Sequence, residues 1–462
     1  MAETIKEFKD RIKGKKLAIL GLGVSNVPLI NFLHKMGAAD ITGFDGGDAD
    51  KILPRLAGLD IECFLGKGYL KNLHDFDIIF KTPVIRRDIP ELESELSKGC
   101  VITSEMEEFL KLCPAKVYGV TGSDGKTTTT TLICKLLEAQ GFKCWLGGNI
   151  GNPLLEEIEN IEPNDKVVIE LSSFQLMNIG ISPQTAVITN ISPNHLDVHK
   201  DFNEYIEAKS EIFLHQKSGD RLVLNYDNEI TRAYGEKAVG EVVYFSGTDS
   251  LGKGICIEND KIILKDKTGN KTLLDVDEIK LPGKHNIENY MAAIGAIFDE
   301  VQPENIRKVA VSFNGVEHRL ELVRELNGVK YFNSSIDSSP NRTKAALSVF
   351  DRKVILLAGG KDKKISYDDL GPALADKVKI LILSGPTASS IETSARKEFE
   401  RRGEPFSIKV HYCQTYEEAV KLAYEAAHAG DVVLLSPAST SFDMFANFME
   451  RGNKFKKLVN EL

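Results

Sequence analysis

Short apolar runs alternate with amphipathic stretches along nearly the whole chain. Near the start, KKLAILGLG predicts a buried strand, a helix follows from about residue 27 to residue 36, and DITGFD predicts the next strand. A second series contains AKVYGVTG, KVVIELSS, TAVITNIS and DRLVLN, and a third contains VKYFNSS, KVILLAGG, VKILILSG and DVVLLSPAS. Strands that alternate with helices in this way predict doubly wound α/β domains.

The three series of strands predict three consecutive domains, which suits 462 residues at a prior of roughly 150 residues per domain. We expect the limits 1–110, 111–314 and 315–462, with Rossmann-like first and last domains around a central α/β domain. Between the second and third series, LPGKHNIENYMAAIGAIF predicts a loop that leads into an amphipathic helix.

Composition is ordinary for a globular enzyme, with 42% hydrophobic and 27% charged residues and a formal net charge of -9. The chain has no Lys- and Arg-rich face with interleaved aromatic residues, which argues against a nucleic-acid partner. No apolar run approaches the ~18 residues of a membrane span, and the charged start MAETIKEFKDRIKGKK cannot be a secretory signal. Seven scattered cysteines without a C-x-x-C pair favour reduced thiols. These features favour a cytoplasmic protein without membrane insertion. We expect a monomer, although none of these features bears on the oligomeric state.

A glycine-rich stretch from Ala115, AKVYGVTGSDGKTTTTTLICKLL, predicts a phosphate loop of unusual form. Val120 takes the place of the first glycine of G-x-x-x-x-G-K-[ST], but T-G-x-x-G-K-T still follows a strand and opens a helix. Glycines let backbone N–H groups face phosphates, and a helix N-terminus favours an anion. Lys126 would reach the terminal phosphates, and the Thr127 hydroxyl would bind Mg²⁺. The alternative is a tight turn beside a surface lysine.

Because this context meets every requirement of a phosphate loop, the stretch predicts an ATP site. The five threonines at 127–131 are mediocre helix formers, and we expect their hydroxyls to satisfy backbone N–H groups of the first helical turn. The candidate ATP-binding residues of the loop are Gly122, Ser123, Asp124, Gly125, Lys126, Thr127 and Thr128.

A second glycine loop, GLGVSN at 21–26, follows the first strand, and Asp45 closes the next strand about twenty residues further on. Taken alone, this pattern favours an NAD-dependent oxidoreductase. However, Asn26 stands where the third glycine of the dinucleotide motif belongs, and the stronger nucleotide motif lies elsewhere in the chain. A strand–helix turn without a ligand is a further alternative.

Several other side chains could carry metal chemistry. Glu170 closes the strand KVVIE, where it could bind Mg²⁺ or be a solvated strand end. His195 and His199 in HLDVH have the i, i+4 spacing of a zinc hydrolase site, yet no third strong ligand is grouped with them. Lys209 in EYIEAKSEIF lies on a predicted amphipathic helix, where a surface lysine is the ordinary interpretation.

The loop T-G-S-D-G-K-T-T resembles that of the Mur ligase and folylpolyglutamate synthetase superfamily, whose members have three α/β domains in a row. The resemblance covers essentially the whole chain, because further motifs follow in the family's order. They are GGNIG (147–151), ELSSFQL (170–176), NISPNHLDVH (190–199), GKHNIEN (283–289), GVEHRLE (315–321) and LLSPASTSFDMFANFMERGNKF (434–455). One such motif would be weak evidence, whereas an ordered set is strong.

The resemblance implies an ATP-dependent amide ligase. ELSSFQL and the last motif are most similar to family members that add D-glutamate to UDP-N-acetylmuramoyl-L-alanine, through an acyl phosphate, in peptidoglycan synthesis. A sister ligase that adds another amino acid and a folylpolyglutamate synthetase are the alternatives. The synthetase would lack a separate UDP domain, and the D-N-P-R motif typical of the diaminopimelate-adding sister is absent from this sequence.

The resemblance also implies roles for individual residues. The UDP substrate would be bound by Ser25, Asn26, Asp45 and Asn149, with Asp45 near the uridine. Besides the loop, ATP would contact Asn289, Arg319 and Ser334. D-Glutamate would be surrounded by Ser338, Lys363, Ser441 and Phe448. Two Mg²⁺ ions would be held by Thr127, Glu170, His195 and Lys209. Lys209 would act as a carbamate, since a buried, neutral lysine amine can attack CO₂. The residues implied to be catalytic are Lys126, His195 and Lys209, whereas His199 receives no role.

Some positions depart from the family pattern. Gly46 stands where a polar or basic residue is frequent, and Val84 stands where a glycine is common. In YFNSSIDSSPNRT, Ser334 and Ile336 replace the aspartate and the lysine of Asp-Ser-Lys. We expect Ser334 to contact ATP without charge assistance, with Asp337 near enough to take over that contact.

Overall fold

The computed structural model describes residues 3–23, 26–59, 61–149, 153–177, 179–193, 199–267, 269–362 and 366–462. Within those ranges the strands form three sheets. The chain divides into two compact units, Met1–Ile279 with Lys284–Val311 and Lys280–Gly283 with Ser312–Leu462. The expected α/β class is confirmed. The limits 1–110, 111–314 and 315–462 stay predictions, because the first two sheets lie in one compact unit.

The first sheet is entirely parallel. Its strands are β1 (Lys16–Leu20), β2 (Asp40–Asp45), β3 (Glu62–Leu65), β4 (Ile78–Lys81) and β5 (Val101–Thr103). The helices around it are α1 (Ile5–Ile12), α2 (Asn26–Lys35), α3 (Ala49–Ile52), α4 (Pro90–Ser97) and α5 (Glu105–Leu112). The strand order is β3-β2-β1-β4-β5, so the chain reverses direction across the sheet beside β1. The glycine loop after β1 therefore lies at the switch point where such sheets bind ligands.

The second sheet contains the strands that the central series predicted. They are β6 (Lys116–Thr121), β7 (Cys144–Gly148), β8 (Lys166–Glu170), β9 (Thr185–Ile188), β10 (Arg221–Asn225), β11 (Glu241–Ser246), β12 (Gly254–Glu258), β13 (Lys261–Asp266) and β14 (Gly269–Asp275). Its helices are α6 (Lys126–Gln140), α7 (Ser173–Leu176), α8 (Phe202–Leu214), α9 (Glu229–Tyr234), α10 (Lys284–Ile297) and α11 (Pro303–Ala310).

The strand order of this sheet is β14-β13-β12-β11-β10-β9-β6-β8-β7. Every neighbouring pair from β12–β11 through β6 to β8–β7 is parallel. At the other edge, β13 is antiparallel to both β12 and β14. Because β6 lies beside β8 in parallel register, Val120 pairs with Glu170. The phosphate loop and the Glu170 carboxylate consequently emerge at the same edge of the sheet.

The second compact unit has one sheet of its own. Its strands are β15 (Glu321–Leu326), β16 (Val329–Asn333), β17 (Val354–Gly359), β18 (Val378–Ser384), β19 (Lys409–Tyr412) and β20 (Val432–Leu435). The helices are α12 (Pro340–Ser348), α13 (Gly371–Lys377), α14 (Ala388–Arg402), α15 (Tyr416–Ala426) and α16 (Phe448–Asn460). The order is β15-β16-β20-β17-β18-β19, and only β15 among these strands runs antiparallel to its neighbour in the described part of the chain.

Apolar strand residues fill the layers between sheets and helices. β17, with the sequence VILLAG, is buried at every position, as expected for a parallel strand covered on both faces. All seven cysteines are free thiols. Among the described residues, no helix combines the length and the apolar character that crossing a bilayer requires.

Candidate functional site

Two glycines shape the loop at 122–128. Gly122 has φ 149° and Gly125 has φ 78°, a region of backbone conformation that favours glycine. A Cβ atom on Gly122 would overlap the Thr189 hydroxyl, and one on Gly125 would overlap the side-chain oxygen of Asn289. β6 ends directly before the loop and α6 begins within it. This is the strand–loop–helix geometry in which backbone N–H groups face a phosphate.

The segment after β9 supports the loop from behind. Ser123 donates its backbone N–H to the carbonyl of Asn190 at 2.9 Å, and Asp124 donates its N–H to Asn190 Oδ1 at 3.0 Å. Lys126 folds over the loop, where its Nζ donates to the carbonyls of Gly122 at 2.9 Å and Ser123 at 2.8 Å. The ammonium is therefore held at the loop itself.

The threonine run does not cap its helix, so that expectation is wrong. The N-cap of α6 is Gly125, which has no side chain with which to accept a bond. Thr130 and Thr131 donate their hydroxyls back to the carbonyls of Lys126 and Thr127, each at 2.8 Å. Because these bonds use carbonyls four residues earlier, they leave the first-turn N–H groups without threonine caps.

Glu170 and Thr127 form an oxygen pair at the edge of the sheet. Glu170 is 2% exposed, and its Oε2 accepts a hydrogen bond from Thr127 Oγ1 at 2.6 Å. Its Oε1 accepts from Asn149 Nδ2 at 2.8 Å. A buried carboxylate beside a hydroxyl offers the oxygen ligands that Mg²⁺ prefers, so these residues fit the ion. The sequence-based assignment of Glu170 to this loop agrees with that geometry.

Lys209 lies underneath the phosphate loop and not on the surface. It is 1% exposed, and its Nζ donates to the carbonyl of Gly122 at 2.9 Å and to Thr121 Oγ1 at 3.2 Å. Its ammonium also lies 4.8 Å from the centre of the Tyr205 ring. Burial, together with the positive charge of Lys126, holds the pKa of Lys209 well below its usual value. A lower pKa increases the neutral fraction of the amine, which is the form that can react with CO₂ to give a carbamate.

His199 is packed into the protein. Its Nε2 forms a hydrogen bond with Ser173 Oγ at 2.9 Å, and its Nδ1 lies 3.4 Å from Glu204 Oε2. Its ring stacks on Phe174 with a centroid distance of 5.1 Å. These contacts agree with a structural histidine and disfavour the zinc alternative. His195 lies outside the described residues.

The glycine loop after β1 is organised by two polar side chains. Asp45 Oδ2 accepts the backbone N–H of Leu22 at 2.7 Å, and Asn26 Nδ2 donates to the carbonyls of Leu20 at 3.1 Å and Gly21 at 2.9 Å. Asn26 is 2% exposed, so its amide shapes the loop from within. Ser25 lies outside the described residues. The assignment of this loop to the UDP group stays a prediction.

In the second compact unit, several of the predicted residues follow β16 and β20. Ser334 is 1% exposed, and its Oγ accepts the backbone N–H of Leu320 at 3.2 Å. Ser441 is also buried, and Phe448 begins α16. The carbonyl of Phe448 accepts the hydroxyl of Ser335 at 2.7 Å. Ser338 lies between Ser335 and α12, whereas Lys363 lies outside the described residues.

The predicted nucleotide contacts Asn289 and Arg319 lie in different compact units. Asn289 Oδ1 accepts the Thr129 hydroxyl at 3.3 Å, and its Nδ2 donates to Asn286 Oδ1 at 3.2 Å. These bonds hold Asn289 against the phosphate loop. Arg319 belongs to the turn before β15, where its backbone N–H donates to the carbonyl of Val316 at 2.9 Å.

Arg451 is a residue that sequence reasoning missed. It is 1% exposed, its Nε and Nη2 donate to the hydroxyl and carbonyl of Ser335 at 3.0 and 2.7 Å, and its Nη1 donates to the carbonyl of Ser439 at 3.0 Å. It thereby ties the end of β16 to the segment after β20. The motif MERGNKF contained the arginine, but only the fold shows which loops it joins.

Asp337 is enclosed with Ser436, whose hydroxyl donates to its Oδ2 at 2.8 Å. Burial raises the pKa of Asp337 to about 6. Asp337 is only 6% exposed, which leaves little surface for the nucleotide contact that we considered from the sequence.

Two solved structures share this architecture. UDP-N-acetylmuramate-alanine ligase MurC from Thermotoga maritima has a TM-score of 0.56 at 19% identity, with 97% of this chain and 99% of that chain covered. MurF from Acinetobacter baumannii has a TM-score of 0.59 at 16% identity, with 99% of each chain covered. At these identities the likeness concerns the fold alone.

Two family models match the sequence: the Mur ligase middle domain over residues 120–297, and the Mur ligase, glutamate ligase domain over residues 318–439. Relatives at 50–55% identity match over the full length of both chains. The chain belongs to the Mur ligase family. These relatives are called UDP-N-acetylmuramoylalanine--D-glutamate ligase. They come from Ruminiclostridium cellulolyticum (55% over 465 residues), Acetivibrio thermocellus (55% over 465 residues) and Clostridium kluyveri (50% over 466 residues).

Proposed function

We propose that this chain is an ATP-dependent ligase that joins D-glutamate to the L-alanine carboxyl group of UDP-N-acetylmuramoyl-L-alanine in peptidoglycan synthesis. The observation that carries the proposal is the cluster at the edge of the second sheet. There the phosphate loop, the Thr127–Glu170 oxygen pair and buried Lys209 lie together. The shared name of relatives at 50–55% identity supports D-glutamate as the amino acid.

The chemistry follows from the weakness of a carboxylate as an electrophile. Transfer of the γ-phosphoryl group of ATP to a carboxylate oxygen gives an acyl phosphate, and the amine of D-glutamate then displaces phosphate to form the amide. Phosphoryl transfer depends mainly on positioning and on cations near the developing charge. Lys126 and the N-terminus of α6 supply positive charge at the loop.

We assign magnesium binding, with two ions expected, to Thr127, Glu170, His195 and Lys209, the last as a carbamate. When bound, Mg²⁺ neutralises charge on the phosphates and orients them. Glu170 is already ordered for this role by its bonds to Thr127 and Asn149. Lys209 would contribute an anionic oxygen only after reaction with CO₂, which its burial favours.

The remaining binding roles extend to the rest of the chain. The UDP substrate is assigned to Ser25, Asn26, Asp45 and Asn149, and D-glutamate to Ser338, Lys363, Ser441 and Phe448. Asn289, Arg319 and Ser334 complete the proposed ATP contacts. We further propose that the protein is a cytoplasmic monomer. Its seven cysteines are free thiols, which supports a reducing compartment.

Phosphate release from ATP in the presence of UDP-N-acetylmuramoyl-L-alanine tests the proposal. D-Glutamate, L-glutamate, L-lysine and meso-diaminopimelate are added in turn, and we expect release with D-glutamate alone. Release with L-lysine in place of D-glutamate would reassign the chain to a sister activity. When NAD⁺ or NADH is added to the same mixtures, absence of any change in nicotinamide absorbance removes the oxidoreductase alternative.

A further inference from the structure

Lys81 is a buried lysine to which the proposed reaction gives no role. It is the last residue of β4 and is 8% exposed. Burial and the nearby positive charge of Arg87 lower the pKa of Lys81 to about 8. In the part of the chain that the structure describes, the side-chain ammonium of Lys81 has no hydrogen bond or ion pair. Because a buried charge without a partner is costly, this position indicates a ligand and not a contribution to stability.

Lys81 lines a small cavity in the first compact unit. The volume is about 20 Å³, and the lining includes Arg87, Thr103, Phe174 and Gln175. A space of this size holds one water molecule or one oxygen atom of a larger ligand. Phe174 and Gln175 belong to α7, whereas Thr103 ends β5. The cavity thus lies between the first sheet and the helix that follows β8.

The groups around the cavity favour an anion. Two cations, Lys81 and Arg87, line it with a single carboxylate, Glu107. Glu107 favours the charged form of Lys81, but it also forms an ion pair with Lys111 at 3.0 Å, so its negative charge is shared between the two lysines. Gln175 uses its Oε1 to accept from Ser172, which leaves its amide nitrogen as the donor on that side chain.

We propose that Lys81 completes the binding site of the UDP-linked substrate, and that its ammonium binds one anionic oxygen of that substrate. This inference rests on the proposed function. β4 pairs with β1 so that Lys81 lies beside Leu20, directly before the glycine loop. The oxygen belongs either to the diphosphate or to the L-alanine carboxylate. The space for one oxygen suits part of a large ligand better than a whole free ion.

Calorimetric titration of UDP-N-acetylmuramoyl-L-alanine into Lys81→Met tests the proposal. Loss of a buried ion pair should raise Kd at least about tenfold, while Kd for ATP changes less than about twofold. Lys13→Met is the matched control, because Lys13 is an exposed lysine after α1 and should leave both Kd values unchanged. Thermal unfolding of Lys81→Met should be no less cooperative than that of the wild type, since methionine relieves the burial of a charge.

The pH dependence of Kd provides a readout that a merely structural lysine would not change. Above about pH 8 the amine loses its proton, so the affinity of the wild type should fall as the pH rises. Lys81→Met should abolish that fall in affinity. Lys81→Arg should shift the fall to a pH above the accessible range, because arginine stays protonated.

Two ligands identify which oxygen is bound. If Lys81 binds the diphosphate, Lys81→Met should raise Kd for UDP by the same factor as Kd for the whole substrate. If it binds the carboxylate, the penalty disappears with the L-alaninamide analogue and UDP is unaffected. Inorganic phosphate that binds through Lys81, with both substrate ligands unchanged in the variant, would contradict the proposal.

Equal Kd values and equal pH profiles in folded wild type and Lys81→Met would also overturn it. Failure of the proposed function is distinguishable, because it would appear as substrate binding by the wild type without phosphate release on addition of D-glutamate.

Discussion

Three of the buried ionisable side chains described above, Lys209, Arg451 and Asp337, have shifted pKa values. Lys209 and Arg451 are each 1% exposed, and Asp337 is 6% exposed. Burial lowers the pKa of Lys209 and of Arg451, and it raises the pKa of Asp337 to about 6. Such shifts are frequent where a protein prepares a group for chemistry, although ordered polar networks produce them too. The roles of Lys209 and Asp337 can therefore be tested directly.

For Lys209, we expect activity to depend on dissolved CO₂. Exhaustive removal of bicarbonate should lower kcat, and its return should restore kcat, because the carbamate forms reversibly on the neutral amine. Lys209→Ala should lose roughly 10–100-fold in activity, as for loss of a group that orders a metal site, without rescue by bicarbonate. Lys217→Ala, at an exposed lysine after α8, is the control. Wild-type activity that is indifferent to bicarbonate, together with an unmodified lysine in a crystal structure, would rule out the carbamate.

For Asp337, the prediction concerns stability. Its pKa is about 6 in the folded protein and about 3.9 in an unfolded chain, so the native state binds the proton more tightly. The free energy of unfolding contributed by this group therefore falls as the pH rises from about 4 to about 6.

Asp337→Asn should remove that loss and be more stable than the wild type at pH 7, by on the order of 2 kcal/mol. Denaturant unfolding near pH 4.5 and at pH 7 measures the difference. The stabilisation should be small at the lower pH and full at the higher one. The same stability difference at both pH values would show that Asp337 does not titrate as described.

At the scale of elements, a cluster of ion pairs joins the segment after β4 to the start of α8. Arg86 donates to Glu204 Oε1 at 2.6 Å and to Oε2 at 3.0 Å, and it also pairs with Asp88 at 2.8 Å. Glu204 additionally accepts the backbone N–H of Lys200 at 2.8 Å. The bond from Arg86 is the main cause that lowers the pKa of Glu204 to about 2. The cluster thus fixes the chain just after the segment that contains His195.

We expect Arg86→Ala and Glu204→Gln each to raise the concentration of Mg²⁺ needed for half-maximal activity. The two effects should be strongly non-additive, with a coupling energy of about 0.5–3 kcal/mol, because the residues act as one pair. Arg86→Glu combined with Glu204→Arg should recover part of the loss. Arg55→Ala, at an exposed arginine of the same part of the chain, provides the control. Additive effects of the two single changes would contradict a shared role.

The elements predicted from the sequence are those whose apolar runs are long and buried. KKLAIL, KVYGVT, KVVIE and VILLAG became strands because parallel strands covered on both faces need such runs. The hairpin of β12 and β13 was missed, although Asn259 and Asp260 between them have φ 49° and 58°. Asn and Asp between two segments that alternate apolar and polar residues are typical of a β-hairpin turn, so this hairpin was predictable from the sequence.

The chemistry of the site was predictable to the extent that it is local in sequence. The phosphate loop and Glu170 follow strands directly, so their positions could be inferred from pattern alone. The burial of Lys209, the enclosure of Asp337 and the bonds of Arg451 to Ser335 and Ser439 depend on contacts between distant segments. Sequence periodicity carries no information about those contacts.

At the scale of the whole molecule, Asn26 and Asp45 of the proposed UDP site belong to the first sheet and its helices, whereas the phosphate loop follows β6 of the second sheet. We therefore expect Lys126→Ala to abolish amide formation while Kd for UDP-N-acetylmuramoyl-L-alanine stays within about twofold of the wild type. Calorimetry and product analysis measure the two quantities separately. Asn26→Ala removes the amide that orders the first glycine loop, so it should raise Kd for UDP-N-acetylmuramoyl-L-alanine more than it lowers amide formation. Equal losses of substrate affinity in both variants would contradict this division.

The central claim is that ATP activates the L-alanine carboxylate as an acyl phosphate before D-glutamate attacks. Substrate labelled with ¹⁸O in that carboxylate tests it most directly, by mass spectrometry of the phosphate and of the amide product. When the amine attacks, the bond between the acyl carbon and the bridging oxygen breaks, and that carboxylate oxygen leaves with the phosphate. Each phosphate released with D-glutamate should therefore carry one ¹⁸O atom, and the amide carbonyl should keep the other. Phosphate without label, or labelled phosphate formed without an amide to D-glutamate, would contradict the account.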